Sequence, residues 1–178
     1  KSLGNITTIE EATKKYSGQV VRLSLLSSHY KQPLDWNNDL LIEQSKILDK
    51  WYLMYSSDIS KKTPECFKEL LDDMNTPLYI SKLHELFNQA QNGNTEKRKE
   101  FNKACRLIGL FKETNEKRAE YKKNKVKISE EEILKKIKDR EKAKNAGNYD
   151  IADKIRDDLS KEGIDIKDEK DKTSWNYK

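Results

Sequence analysis

Residues 76–111 read TPLYISKLHELFNQAQNGNTEKRKEFNKACRLIGLF, and this stretch decides the fold. Thr76 and Pro77 open a helix, because the threonine can cap it and the proline sits in the first turn, where its missing N–H costs nothing. Ile80, Leu83, Phe87 and Ala90 then recur at helical spacing. Asn92-Gly93-Asn94 breaks the chain, and a second helix carries Phe101, Ala104, Cys105, Ile108 and Phe111 on one stripe. Two one-sided helices joined by so short a break must lie antiparallel, which is the repeating unit of a helical bundle.

Toward the N-terminus the same grammar recurs. Thr63-Pro64 predicts a helix through Phe67, Leu70, Leu71 and Met74, again with threonine as cap. A longer helix is expected from about Asn38, with Leu41, Ile47, Leu48, Trp51, Met54 and Tyr55 at helical spacing. The segment from His29 to Trp36, containing Pro33, connects it to a preceding helix. That helix is capped by Ser17 and carries Val20, Val21, Leu23, Leu25 and Leu26, dense enough to predict burial on more than one side. Thr8 followed by Glu11 is a capping box for a short helix ending near Tyr16, and residues 1–5 read as loop.

Toward the C-terminus, apolar content collapses between Glu113 and Val126 and lysine dominates, so a helix end and linker are expected there, with a boundary near Lys125. Ser129 and Glu132 form a second capping box, opening a helix through Ile133, Leu134, Ile137 and Ala143 that Gly147 closes in the left-handed conformation. Asp150 opens a further helix with Ile151, Ile155 and Leu159, closed by Gly163. Residues 163–166 alternate and can pair as a short strand with Thr173-Ser174-Trp175 across a charged turn. The fold class is therefore mainly α: an antiparallel helical bundle followed by a small helical hairpin with a short β tail. The expected divisions are 1–17 as loop and connecting helix, 18–125 as the bundle, and 126–178 as the hairpin.

The composition fits thin helical layers: 38% of the 178 residues are charged and 34% hydrophobic, with a mean hydropathy of −1.02. Six glycines and three prolines are too few for the turns of an all-β sandwich. No apolar run reaches the roughly 18 residues of a membrane span, so a soluble, cytoplasmic protein with no membrane partner is expected. Cys66 and Cys105 have no CxxC partner, and His29 and His84 lie far from both, so two buried thiols are the expected reading rather than a metal site. The net charge is +5, yet residues 97–127 hold twelve Lys/Arg against four Glu, or 12 − 4 = +8. Such a concentration is an electrostatic footprint for a polyanion. A solvated helix face explains the same charges, and composition alone leaves the two open.

Several strings resemble the cysteinyl-tRNA synthetases, a branch of the class Ia aminoacyl-tRNA synthetases. Lys1-Ser2-Leu3-Gly4-Asn5 is similar to the end of the KMSKS signature and the residues after it. Val21-Arg22 and Leu25 through Tyr30 resemble the start of the class Ia helical bundle, although Gln19 stands where an acidic residue is common. Asp72 through Pro77 resembles a D-D-x-N-T-P stretch, and Leu107 through Phe111 an L-G-L helix end. The most specific part is the tail: Arg140 through Lys144, Tyr149, Ala152-Asp153, Ile155-Arg156-Asp157, Leu159, Gly163-Ile164 and Thr173-Ser174-Trp175 follow the order of the cysteinyl branch.

The resemblance implies that Lys1 is the second lysine of KMSKS, with Ser2 beside it, a mobile cation that stabilises the ATP triphosphate as the amino acid attacks. It also implies that the HIGH motif, the Rossmann sheet and the zinc that reads the cysteine thiol lie in a catalytic part outside this chain. ATP and zinc are then cofactors of the full-length enzyme, cysteine and ATP its substrates, and this chain alone is expected to bind neither cofactor and to catalyse nothing. The expected partner is tRNA-Cys, met by a monomer, with Lys144, Tyr149, Asp153, Arg156 and Asp168 placed against the GCA anticodon. Tyr149 would stack on a base, Arg156 would fork onto guanine, and Asp153 and Asp168 would accept from base amino groups. Lys144 stands where arginine is often found, so a fork becomes a point charge. The basic residues 97–127 would track the tRNA stem without reading sequence. A borrowed stand-alone RNA-binding module and a purely structural helical protein are the competing expectations; steep salt dependence of RNA binding separates the last of these.

Overall fold

The computed structural model describes residues 7–169 and 173–177; Lys1 and Ser2 lie outside the described residues. In chain order the elements are α1 (Ile9–Lys15), α2 (Gly18–Leu26), α3 (Asn38–Tyr52), α4 (Phe67–Leu71), α5 (Thr76–Gln91), α6 (Thr95–Leu107), α7 (Asn115–Lys125), α8 (Glu130–Asn145), α9 (Tyr149–Lys161), β1 (Ile164–Asp168) and β2 (Thr173–Tyr177). This is the helical bundle followed by a hairpin with a β tail that the sequence predicts. Two compact units result, one up to Thr114 and one from Asn115.

In the first unit the caps start the helices at or next to the expected residues. Thr8 and Glu11 close their capping box reciprocally, and Ser17 accepts from the Val20 N–H. The antiparallel pair α5–α6 forms as read, but the cap of α5 is Asn75, whose side chain accepts from the Leu78 N–H at 3.2 Å. Thr76 is instead the first helical residue, buried, with its hydroxyl turned to the Ser28 carbonyl.

The helix expected from Thr63-Pro64 to Met74 is cut to the single turn of α4. Cys66 precedes it without a side-chain cap, and Asp73 and Met74 reverse the chain at φ 49° and 53°. Tertiary contacts override local propensity here: the Tyr30 hydroxyl donates to the Asp73 carboxylate at 2.8 Å, Lys31 pairs with the same carboxylate, and His29 Nε2 lies 3.0 Å from the Asp73 carbonyl. Leu71 and Met74 consequently end exposed, not in the core.

Leu23, Leu48, Trp51, Tyr79, Leu83, Phe101 and Cys105 fill the centre of this unit. Phe101 meets Trp51, Phe87 and Phe111 at ring separations of 5.6, 5.7 and 5.8 Å, with near-perpendicular edges toward Trp51 and Phe111. After α6 the chain turns at Gly109 (φ +77°), and the bonds Gly109 N–H to Arg106 carbonyl and Leu110 N–H to Cys105 carbonyl make a Schellman cap. Phe111 follows, also left-handed at φ +55°, and its buried N–H would be orphaned by that turn. Gln19 of α2 supplies the acceptor: its Oε1 takes the Phe111 N–H at 2.7 Å, while its Nε2 donates to the Tyr52 hydroxyl and the Glu113 carboxylate, both at 3.0 Å.

In the second unit, Ser129 and Glu132 close the other capping box. Gly147 (φ +75°) ends α8 with a Schellman pair, its own N–H to Lys144 and that of Asn148 to Ala143. Helix α9 starts at Tyr149 after Asn148, so Asp150 lies in its first turn, where a negative charge suits the helix dipole. Strands β1 and β2 pair antiparallel with Ile166 opposite Trp175. Ile133, Ile137, Leu159, Ile164 and Ile166 make the core, with Val126, Ile128, Ile155, Trp175 and Tyr177 packed around it. Helix α7, read from the sequence as a helix end and linker, contacts β2 in this unit.

Candidate nucleic-acid interface

The apolar stripe of α8 runs through Ile133 and Ile137 and, one and two turns further on, through Arg140 and Lys144. The inward face of β1 runs through Ile164 and Ile166 to Asp168, by the two-residue period of a strand. Ile133, Ile137, Ile164 and Ile166 belong to one core cluster, and beyond them both elements turn charged. There Arg140 Nη1 and Nη2 donate to Asp168 Oδ1 and Oδ2, each at 2.8 Å, a bidentate fork. Lys144 Nζ adds a bond to Oδ2 at 3.0 Å, and the Thr173 hydroxyl one to Oδ1 at 3.2 Å. The Arg140 side chain is only 4% exposed, while those of Asp168 and Lys144 are 39% and 38% exposed. Arg140 first, then Lys144, hold the Asp168 carboxyl far below the usual carboxylate range. The node holds two cations on one carboxylate, and the Asp153 and Glu141 carboxylates also act on Arg140 from nearby.

Tyr149, Asp153 and Arg156 lie four and three residues apart on α9, within a narrow arc of its surface. All are exposed, Tyr149 at 64%. Ala152, Ile155 and Leu159 form the core-facing stripe about a quarter turn away, so the row flanks that stripe. Among the described residues no ion pair joins Asp153 to Arg156, so an aromatic face, a guanidinium and a carboxylate stand in a row toward solvent. The structure thus brings Lys144 and Asp168 together directly and lines up Tyr149, Asp153 and Arg156 separately. The residue that sequence reasoning missed is Arg140. Its signal was legible: a charged side chain on an apolar helical stripe, and an aspartate at the inward position of a strand, call for each other.

Several cations of the basic stretch 97–127 are engaged within the protein. Arg98 donates to the Met54 and Tyr55 carbonyls at 3.1 and 2.9 Å, and Arg106 to that of Ser56 at 2.7 Å. Lys97 pairs with Glu100, Lys99 with Asp58 and Glu96, Lys123 with Glu130, and Arg118 is buried. Both cysteines are buried and unpaired, and burial pushes both thiols above their usual range. Among the described residues no cluster of His, Cys, Asp and Glu could hold a metal, so zinc finds no fitting donor set there. No helix among them is long and apolar enough to cross a membrane.

Residues 1–46 match the family model described as tRNA synthetases class I (C) catalytic domain. With the helical bundle and hairpin that follow, the similarity lies within class I tRNA synthetases. It narrows further over the whole chain. The cysteine–tRNA ligase of Pelagibacter ubique is 43% identical over 180 residues, covering 100% of this chain and 40% of that protein. Those of Xanthobacter autotrophicus and Rickettsia canadensis are 36% and 35% identical, each covering 98% of this chain and 40% and 39% of the relatives. Homology marks the chain as a segment of the cysteine–tRNA ligase family, spanning about 40% of the length of the curated relatives it matches.

Proposed function

We propose that the chain is the tRNA-binding portion of a cysteine–tRNA ligase, which as a whole charges tRNA-Cys with cysteine at the expense of ATP. Residues 1–17 are the end of the KMSKS loop and a connecting helix, with Lys1 and Ser2 serving ATP in the whole enzyme. Residues 18–125 form the tRNA-binding bundle and 126–178 the anticodon-binding domain. Zinc and the adenylate chemistry belong to the catalytic part, and this chain by itself binds tRNA without catalysis. The protein works as a cytoplasmic monomer.

The observation that carries this reading is the exposed row Tyr149, Asp153 and Arg156 beside the charged node at Arg140, Lys144 and Asp168. A single-stranded anticodon presents unstacked bases with free edges, and these are the groups that meet them. The Tyr149 ring takes a base face, the Arg156 fork suits the O6 and N7 acceptors of guanine, and Asp153 accepts from an amino group. Lys144, the exposed cation of the node, draws in the phosphates between those bases. Arg156→Ala tests the assignment by filter binding to tRNA-Cys and to a tRNA with a changed anticodon. It should cost about 1–3 kcal/mol of discrimination. An unchanged preference would remove Arg156 from base reading.

A further inference from the structure

Asp168 is assigned above as an acceptor for a base amino group, yet it has no vacancy. A carboxylate offers about four lone-pair positions, and here each is taken. Oδ1 receives Arg140 Nη1 and the Thr173 hydroxyl, and Oδ2 receives Arg140 Nη2 and Lys144 Nζ. If a base is to be read at Asp168, one donor must leave, and the geometry ranks the three.

Arg140 is the least able to leave. Its side chain is 4% exposed, it spans both oxygens at 2.8 Å, and its Nε has no partner among the described residues, so the fork is the main compensation for a buried charge. The sheet register keeps the Thr173 side chain beside Oδ1, so a turn of its hydroxyl breaks one 3.2 Å bond but leaves both donors of Oδ2 in place. Lys144 makes one bond, is 38% exposed, and sits on a flexible stem that can swing to solvent. Leaving also gains it a new partner, since RNA brings phosphates to the same surface.

We propose that Arg140 is the positioning residue of this site, holding the Asp168 carboxylate in one orientation, and that Lys144 is an exchangeable donor that yields Oδ2 to a base amino group and moves to a phosphate when RNA binds. This rests on the anticodon-binding reading given above. It divides two neighbouring cations by task. Arg140 touches no RNA and sets specificity through Asp168, whereas Lys144 contributes affinity that carries no sequence information. It also accounts for a lysine at position 144, because a second rigid fork on Asp168 would be harder to displace than a single ammonium.

The test uses the 178-residue chain and four stem-loop RNAs, one with a GCA loop and three each with one anticodon base replaced. The readout is the ratio of dissociation constants, not affinity itself, because a merely structural loss weakens all four RNAs by one common factor. Arg140→Lys keeps the charge and loses the fork; its discrimination at one base position should fall about fivefold or more. Lys144→Gln should keep the full ratio while the salt slope of binding falls by about one. An Arg140→Lys protein that retains the ratio, or a Lys144→Gln protein that loses it, overturns the proposal. Should Arg140→Lys fail to fold by circular dichroism, the Lys144→Gln ratio and salt slope decide alone. A wild-type chain that ranks the four RNAs equally overturns the anticodon reading together with this inference, whereas a wild-type preference that survives Arg140→Lys overturns the inference only.

Discussion

Gln19 is buried, and its surroundings say what the amide is for. Replacing it with alanine strands the Phe111 N–H, which is buried and has Gln19 Oε1 as its acceptor at 2.7 Å. It also removes a partner from the Tyr52 hydroxyl, although the Glu113 carbonyl lies within reach at 3.4 Å. Glu113 itself is exposed and can turn to water. One fully stranded buried group, one weakened hydroxyl and the lost packing sum to about 2–4 kcal/mol. Gln19→Glu is the sharper perturbation. A carboxylate can still accept from Phe111, but it would face the Glu113 carboxylate across the 3.0 Å that now separates an N–H donor from its acceptor. The like-charge pair should make this variant less stable than wild type, and Glu113→Gln should relieve the penalty. The assay is urea unfolding followed by Trp36 and Trp51 fluorescence in a Trp175→Phe background, so that only the first unit reports. A Gln19→Ala midpoint within error of wild type, or a Gln19→Glu penalty that Glu113→Gln leaves unchanged, would refute the reasoning.

Phe101→Ala removes the ring at the centre of the aromatic cluster, fully buried and touching Trp51, Phe87 and Phe111, and should cost the first unit about 3–5 kcal/mol in the same unfolding assay. Asp168 has a folded-state pKa lowered by Arg140 and Lys144. Its pairing therefore stabilises the second unit fully above the unfolded carboxyl value of about 3.9 and is lost as pH falls below it. The stability gap between wild type and Asp168→Asn, read by Trp175 fluorescence, should narrow from pH 6 to pH 3; a constant gap would contradict the fork. Cys66 and Cys105, both buried with raised thiol pKa values, should resist a thiol reagent in the folded chain and react, two per chain, in denaturant. Rapid labelling of Cys105 without denaturant would place it outside the core.

Elements whose ends are set by neighbours in sequence were legible from the sequence. The Thr8 and Ser129 capping boxes, the breaks at Gly93 and Gly147, and a terminal strand pair all formed as read, although the strand runs on through Asp168, which the sequence placed in the turn. Elements set by distant residues were not. The helix expected to run to Met74 stops at Leu71 because His29, Tyr30 and Lys31 hold Asp73 in a left-handed turn, and no local pattern in residues 63–74 reports contacts from 42 or more positions away. The roles within the basic stretch divided for the same reason: Arg98 and Arg106 answer the carbonyls of residues 54–56, which charge counting does not see. At the candidate site, the exposed row on α9 follows from helical spacing alone. The node at Asp168 required knowing that the end of α8 lies against the end of β1, and this is where Arg140 entered.

The account rests on the chain recognising one anticodon. Its most direct test is equilibrium filter binding of this chain to tRNA-Cys carrying GCA and to the same tRNA with the anticodon replaced, at several salt concentrations. Affinity for both should fall steeply with salt, reflecting phosphate contacts, and at every salt the GCA form should bind at least about tenfold tighter. Equal binding of the two tRNAs across the series would contradict the account.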